Sequence, residues 1–343
     1  MSELLHIDGS QGEGGGQVLR TALGLSLVTG RPFQIDAIRA RRRKPGLMRQ
    51  HLTAVQAAGD VGRARLRGAE LGSTSLRFEP GEVRAGEYEF RIGTAGSTSL
   101  VLQAVLPAML VSDQDWFVRI HGGTHNRMAP TAPFLAHSFV PMLDRMGARV
   151  SVHLERAGFY PAGGGILSCQ KRAGGDLRPL DILERGKLLE KEAGALVAQL
   201  PRSIARREIA VITKGLAWQK NRTIIEEIED SQGPGNTCWI RLAYEHSTAW
   251  FTGFGEQRKS AERVAHSCLD EAKDFLAHDA PIEKHLCDQL LLPLALSGGG
   301  SFRTTAPTAH SLTNAEVIQA FLPIDIRFEK EPGRAWLVTL ATS

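Results

Sequence analysis

The chain has 343 residues, of which 42% are hydrophobic and 23% are charged, and its formal net charge is +4. These values are typical of an ordinary soluble protein with two or more domains and a sizeable core, and no apolar stretch indicates an export signal or a membrane span. The slight excess of basic residues favours a polyanionic partner without requiring one.

Cysteine usage bears on compartment and on metal binding. Cys169, Cys238, Cys268 and Cys287 are scattered without CxxC spacing, and the sequence has no HExxH pattern. We therefore expect a reducing, cytoplasmic location and no zinc site.

A unit of two helices and two following strands recurs along the chain. In the first copy, helices are predicted at residues 15–28 and 47–58, the second ended by Gly59, and strands near residues 63–66 and 75–78. The second copy has predicted helices at 97–110 and 131–146 and strands at 149–154 and 165–169. The third has a first strand near 177–182, helices at 287–296 and 314–321, and strands at 324–328 and 335–340.

The third copy is interrupted by an excess of roughly a hundred residues between its first strand and its first helix. This excess predicts an inserted domain at residues 184–278, with strands at 208–212 and 238–244 and a helix at 259–276. Residues 1–183 then hold the first two units and the start of the third, and residues 279–343 hold the rest of the third.

His310 follows a glycine run and lies among hydroxyl residues. Thr313 or Asn314 can cap a helix that continues to Phe321, which places His310 just outside the helix N-terminus, where free N–H groups favour anions. A phosphate attacked by the imidazole would fit there. The alternative is a solvated loop histidine.

The glycine-rich segment around Glu13 resembles a phosphate-binding loop, with Gln17 and Arg20 on one face of the helix that follows. Backbone N–H groups of such a loop can hold phosphate, and Glu13 can hold a nucleotide-associated Mg²⁺ or Mn²⁺. No Gly-Lys-Ser/Thr follows, so this is not a Walker A loop. The alternative is a tight turn with a solvated glutamate.

Six cations fall within eleven residues before and at the start of the second helix: Arg39, Arg41, Arg42, Arg43, Lys44 and Arg49. Such a cluster can contact phosphates without reading bases, although it can also be a solvated face. His125, Asn126 and Arg127 stand at the corresponding place in the second unit, as His310 does in the third.

Five motifs in one order give the chain its resemblance to a known family. They are Asp8 to Arg20, Arg39 to His51, Gly122 to Arg127, Phe159 to Gly165 and Asp288 to Ala295. The sequence closely resembles the RNA 3′-terminal phosphate cyclase family nearly end to end, and only weakly between about Glu184 and His278. The resemblance implies an α+β fold of three βαβαββ repeats, like the C-terminal domain of translation initiation factor three, with a smaller inserted α/β domain.

The resemblance also implies a site and a reaction. His310 would attack the α-phosphorus of ATP to form histidine–AMP, and an RNA 3′-phosphate would then be activated and cyclised by its 2′-hydroxyl. Glu13 would hold the Mg²⁺ or Mn²⁺. Nucleotide-binding residues would be Gln17, Arg20, Gln103, Pro130, His285, Asp288 and Gln289. RNA-binding or phosphate-binding residues would be Arg39, Arg41, Arg42, Arg43, Gln50, His51 and Arg127.

Some of these roles have alternatives. Asp288 and Gln289 can equally be polar residues at a helix N-terminus, Asp288 favouring the dipole, and Arg39 or Arg42 can contact ATP rather than RNA. At the level of the whole chain, the alternatives are a non-adenylating cyclase-like ribosome-biogenesis protein, a pure RNA-binding module and an enolpyruvate transferase. The reactive histidine favours the enzyme. The oligomeric state stays open, with a homodimer as one option.

Overall fold

The computed structural model describes residues 3–12, 14–218 and 223–342. It is a mixed α+β structure, which confirms the predicted fold class. Within the described ranges, no helix combines the length and the apolar character that a membrane span requires.

The first unit alternates strands and helices before two final strands. Its elements are β1 (Leu5–Asp8), α1 (Gln17–Thr29), β2 (Phe33–Asp36), α2 (Arg49–Val61), β3 (Arg65–Arg67) and β4 (Leu76–Glu79). Helix α1 ends because Gly30 takes a left-handed conformation (φ +68°) and donates its N–H to the Ser26 carbonyl.

The second unit has the same order, with a longer second helical segment. Its elements are β5 (Glu87–Arg91), α3 (Thr98–Val111), β6 (Trp116–Gly122), α4 (Ala132–Phe134), a π-helical turn (Leu135–Phe139), α5 (Val140–Arg145), β7 (Val150–Arg156) and β8 (Gly165–Lys171). Strand β6 alternates buried residues such as Val118 with more exposed ones such as Arg119, as expected for a sheet with one face on the core.

The third unit is split by the insert. It opens with β9 (Leu180–Ile182); the insert follows with β10 (Leu188–Ala198), α6 (Arg202–Gly215), β11 (Thr223–Ile228), β12 (Gly235–Tyr244), β13 (Thr248–Phe254) and α7 (Ala261–Leu276). The unit then resumes with α8 (Lys284–Leu296), β14 (Gly299–Thr304), α9 (Ala309–Phe321), β15 (Ile324–Lys330) and β16 (Trp336–Thr342).

The two ends of the insert lie beside the same strand. Ile182 pairs in parallel with Phe302, and Ile282 makes a parallel bridge to Thr304, two residues further along β14. The chain therefore leaves the third unit and returns to it at neighbouring points, which is the geometry that tolerates an insertion.

Within the described residues, the strands form four sheets. Three have the same order, in which the first strand of the unit is followed by the second, the fourth and the third: β1-β2-β4-β3, β5-β6-β8-β7 and β9-β14-β16-β15. The first pair is parallel and the other pairs are antiparallel in each of them. The sheet of the insert has the order β11-β10-β12-β13.

Helices from the three units meet at the centre. Helix α1 packs against α3 and α9, and α8 packs against α9 and α3. The buried side chains of the three units form one continuous hydrophobic cluster, whereas the insert has a second cluster built around residues such as Ile240, Phe251 and Leu269. The first turns of α1, α8 and α9 are thereby brought together.

Two local predictions were wrong. Residues 208–212 lie in helix α6 rather than in a strand, because Ala205, Ile209 and Ile212 recur at helical spacing and bury one face. The second helix of the first unit runs through Gly59 to Val61, since Gly59 packs against Leu66 and the turn comes at Gly62.

Candidate functional site

His310 is the second residue of α9, not a loop residue before it. The cap is Thr308, whose hydroxyl accepts the N–H of Ser311 at 3.2 Å. The expected caps, Thr313 and Asn314, were wrong: they lie inside the helix, where the Thr313 hydroxyl donates to the Ala309 carbonyl. His310 is half-buried within the first turn, close to the positive end of the helix dipole.

A chain of hydrogen bonds links His310 to Asp288 through Gln17. The His310 Nδ1 and Gln17 Oε1 atoms are 2.6 Å apart, and Gln17 Nε2 donates to Asp288 Oδ1 at 2.6 Å. An amide oxygen can only accept, so Nδ1 donates and the neutral ring has its lone pair on Nε2. Asp288 therefore orients the amide, and the amide selects the tautomer.

A second branch connects the three units. Arg20 Nε donates to Gln103 Oε1 at 3.0 Å, Gln103 Nε2 donates to Gln289 Oε1 at 2.7 Å, and Gln289 Nε2 donates to Asp288 Oδ2 at 3.0 Å. The predicted nucleotide-binding residues Gln17, Arg20, Gln103, Asp288 and Gln289 thus form one network with His310.

Asp288 is the hub of this network. Helix α8 begins at Lys284, capped by the buried Glu283 side chain, so Asp288 is its fifth residue and not an N-terminal polar residue. Burial raises the pKa of the Asp288 carboxyl, while the Gln17 hydrogen bond and the nearby Arg20 charge oppose that rise. Burial also lowers the pKa of Arg20 to about 10, so its guanidinium stays charged at neutral pH.

Asn314 also hydrogen-bonds to Asp288, and the sequence analysis did not identify it as a site residue. Its Nδ2 donates to Asp288 Oδ1 at 3.2 Å, and its Oδ1 accepts the Thr21 hydroxyl at 2.7 Å. The residue is 5% exposed. Its position one helical turn after His310 was the available signal, because residues at i and i+4 share a helix face.

The network lies at the edge of a cavity of about 410 Å³ between the repeats and the insert. Pro130, His285, Asp288 and Gln289 line it, as does His310. The insert supplies one wall, which sequence reasoning also missed: Trp250, Thr252, Phe254, Lys259, Ser267 and Glu271. Because the insert resembles the family only weakly, the resemblance did not identify these residues. The aromatic side chains of Trp250 and Phe254 were the available signal.

The insert is held against the second unit by stacked rings. Trp250 stacks on His137 of the π-helical turn, with centroids 5.1 Å apart, and on Trp239 at 5.8 Å. Across the cavity rim, Lys284 of α8 forms an ion pair with Glu271 of α7 at 3.3 Å. The insert wall is therefore anchored on both sides of the cavity.

The glycine-rich segment packs between the start of α9 and the arginine run. A side chain at Gly12 (φ +56°) would overlap the Thr313 hydroxyl, and Gly14 (φ +58°) lies against the Arg41 side chain. Arg41 Nη1 donates to the Gly12 carbonyl at 2.8 Å. Glu13, the predicted metal ligand, lies outside the described residues.

The other arginines of the run have different surroundings. Arg39 donates to the carbonyls of Lys44 and Gly46, at 2.7 and 2.8 Å, and so fixes the loop itself. Arg42 is half-buried next to Gly15, whereas Arg43 is exposed. The run is a structured loop with cations at its surface.

Gln50 and His51 follow at the start of α2. Gln50 Oε1 accepts the N–H of Ser97 at 2.8 Å, joining the first and second units. His51 is 7% exposed, with its ring against Gly16. Burial, together with the charges of Arg20 and Arg39, lowers the pKa of His51 to about 3, so it is neutral at physiological pH.

The loop of the second unit that corresponds to the arginine run places some residues in the core and others at the cavity. His125 is buried and stacks on Phe159 at 5.1 Å, and burial lowers its pKa to about 4. Asn126 donates to the Ala95 carbonyl at 2.8 Å. Arg127 is exposed at the cavity rim, 3.0 Å from Glu256 of the insert.

Among the side chains of residues 3–12, 14–218 and 223–342, no group of three or more His, Cys, Asp or Glu residues is placed to hold a metal ion.

The sequence model for "RNA 3'-terminal phosphate cyclase" matches residues 11–328. The chain is similar to proteins named RNA 3'-terminal phosphate cyclase from Koribacter versatilis (47% identity, 97% of this chain and 94% of the relative), Pseudomonas fluorescens (49%, 96% and 95%) and Salmonella paratyphi C (45%, 97% and 96%). The chain therefore belongs to the RNA 3′-terminal phosphate cyclase family.

Proposed function

We propose that this enzyme forms RNA 2′,3′-cyclic phosphate ends at the expense of ATP, with AMP carried covalently on His310. The observation that carries the proposal is the Asp288–Gln17–His310 chain at the cavity edge, which sets the histidine tautomer with its lone pair on Nε2. A neutral, oriented imidazole is a competent nucleophile toward phosphorus.

The cavity offers ATP two kinds of surface. Pro130, Phe134 and Trp250 form an apolar part suited to adenine, with His285 at its rim. Arg20, Gln103 and Gln289 form a polar part beside His310 that suits ribose and phosphate oxygens. With adenine in the apolar part and ribose in the polar part, the α-phosphate would lie next to the imidazole.

The first step transfers AMP to the enzyme. His310 Nε2 attacks the α-phosphorus of ATP, a P–N bond forms, the bond to the bridging oxygen breaks, and pyrophosphate leaves. The N-phosphorylated ring then carries a positive charge, because Nδ1 keeps its proton and donates it in a hydrogen bond to Gln17 Oε1, 2.6 Å away. The Asp288 carboxylate, hydrogen-bonded to Gln17, stabilises the positive charge that develops.

Two further transfers complete the reaction. An oxygen of the RNA 3′-phosphate attacks the AMP phosphorus, the P–N bond breaks, and RNA(3′)pp(5′)A forms. The 2′-hydroxyl then attacks the 3′-phosphorus and loses its proton, the bond to AMP breaks, and AMP leaves. A bare 3′-phosphate lacks a good leaving group, so the AMP attachment is what makes ring closure possible.

Cationic groups and a metal ion would offset the phosphate charge. Arg20 lies in the network, and Arg41, Arg42 and Arg43 lie on the loop that packs against the glycine-rich segment. Glu13 would hold Mg²⁺ or Mn²⁺ with the phosphates and water; the ion would supply charge neutralisation.

Labelling with ATP tests the proposal directly. The wild-type protein is incubated with α-labelled ATP and Mg²⁺ or Mn²⁺, alongside His310→Ala and the control His153→Ala, which removes an exposed histidine from β7. We expect label on the wild type and the control that survives base and is released by acid, as a P–N bond requires. Label on His310→Ala would overturn the assignment of the nucleophile.

A further inference from the structure

The motif from Phe159 to Gly165 has no role in the adenylation chemistry, yet it presents one aromatic ring to solvent. Phe159 is 5% exposed and stacks on His125, whereas its neighbour Tyr160 is 80% exposed. Tyrosine rings usually bury much of their large apolar area, and a ring exposed to this degree has a face on which another ring can stack.

The loop that carries Tyr160 is fixed rather than loose. The Gly163 N–H donates to the Phe159 carbonyl at 2.7 Å, and Arg156 Nε donates to the Gly164 carbonyl at 2.6 Å. Any side chain at Gly163 (φ +73°) would press against Ala95, and one at Gly164 (φ +72°) would overlap Gln232 of the insert. The loop is thus clamped between the second unit and the insert, and it holds the Tyr160 backbone in place.

The loop that carries Tyr160 adjoins the cavity that contains His310. The Ala95 carbonyl that neighbours the loop accepts the Asn126 side chain, and the residues that follow, Arg127 and Met128, line the cavity that holds His310. Both are exposed. On the other side, Ser97 is hydrogen-bonded to Gln50, next to the exposed Arg49.

We propose that Tyr160 is a stacking platform for a base of the RNA substrate upstream of its 3′-terminal nucleotide. This inference rests on the proposed function, because it needs the RNA end in the cavity. An RNA strand leaving the cavity would pass Met128 and Arg127, whose guanidinium is exposed beside Glu256, and then reach the Tyr160 ring. A cation near the phosphates and an aromatic ring for the bases are the two features that single-stranded RNA binding combines. Every base has a π-face, so such a contact tolerates any sequence.

The test compares Tyr160→Ala with Tyr160→Phe and with the control Leu189→Ala, which removes a 64% exposed side chain from β10 of the insert. Each protein is given a 3′-phosphorylated oligoribonucleotide or a nucleoside 3′-monophosphate, which has no upstream base. For the oligonucleotide, Tyr160→Ala should raise KM roughly 5- to 150-fold with little change in kcat. KM for the mononucleotide and the rate of RNA-independent adenylation should not change, and Tyr160→Phe should resemble the wild type.

An abasic scan of the oligonucleotide identifies the contact. Removing the base at one upstream position should raise the KM of the wild-type enzyme for the oligonucleotide. The same removal should cause no further increase in KM for Tyr160→Ala, because that variant already lacks the contact. The proposal is overturned if Tyr160→Ala binds the oligonucleotide as tightly as the wild type, or if it binds the oligonucleotide and the mononucleotide equally less tightly. It is also overturned if the increases in KM from the variant and from base removal add at every position, as expected when Tyr160 contacts a protein and not a base. Fluorescence anisotropy with the same RNAs measures binding without turnover. A failure of the proposed ATP-dependent reaction can therefore be distinguished from a failure of the Tyr160 contact.

Discussion

The Nδ1 atom of His310 lies 2.6 Å from the Oε1 atom of Gln17, a residue 293 positions earlier in the chain. Gln17 is in turn held by Asp288, so a residue of the first unit sets the tautomer of the imidazole and a residue of the third unit orients that glutamine. We therefore expect Gln17 to position His310, and this role can be tested separately from nucleotide binding.

Gln17→Leu should slow histidine adenylation by about 100-fold, because the ring loses the acceptor that orients it and a small misplacement of a nucleophile costs about that much. Single-turnover labelling with α-labelled ATP measures the rate, and the ATP concentration dependence separates it from binding. The control is Gln34→Leu, which removes a half-buried glutamine from β2 that bonds to Ser75. An unchanged rate in Gln17→Leu would mean that the histidine orients itself.

Arg41 and Arg43 should have separable effects, because Arg41 bonds to the Gly12 carbonyl while Arg43 is exposed. Arg43→Ala should weaken binding of 3′-phosphorylated RNA and flatten its salt dependence by about 0.7 per lost phosphate contact. Its adenylation without RNA should stay near the wild-type rate. Arg41→Ala should reduce both half-reactions. Equal losses in both half-reactions for Arg43→Ala would place that residue at the ATP site instead.

Phe254→Ala tests whether the insert wall belongs to the nucleotide site. Phe254 is half-buried on β13 and lines the cavity. Losing its apolar surface should raise KM for ATP in the adenylation assay by about tenfold, within the range expected for a partly buried aromatic ring, with little effect on the maximal rate. Phe117→Ala, a half-buried ring on β6, is the control. If both variants behave like the wild type, adenine does not use this wall.

Glu208 should make the stability of the insert pH-dependent. It is fully buried in α6, with one oxygen bonded to Asn236 at 2.9 Å and the other without a hydrogen-bond partner among the described residues. Burial raises the pKa of Glu208 to about 7. The folded state therefore holds this proton between pH 4.5 and 7 while the unfolded state releases it, so stability falls as pH rises through that window.

Glu208→Gln removes this titration with little change in shape. At pH 5 the variant should resemble the wild type, and at pH 8 it should be more stable by on the order of 1–3 kcal/mol. Urea unfolding at both pH values measures the difference. A stability gap that does not grow between pH 5 and pH 8 would show that Glu208 titrates normally.

Sequence patterns were sufficient where local spacing and composition decide structure. Glycines and apolar periodicity placed the helices that became α1 and α3 to within a few residues. The unusual run of five separated motifs indicated the family, and the family pointed to His310. These features depend on residues that are close together in the chain, so they can be read from the sequence alone.

Tertiary structure decided which polar groups meet. Thr313 looked like a cap, but the hydroxyl of Thr308 was free to reach Ser311 once the chain entered α9 from an extended residue. Asp288 looked like an N-terminal helix residue until Glu283 capped the helix five residues earlier. The sequence predicted the insert as an interruption of the third unit, but it did not show that Trp250 of the insert stacks on His137 of the second unit and so helps to form the cavity wall. Such contacts join residues far apart in the chain, and their free energy appears only when packing brings the partners together and removes water from between them.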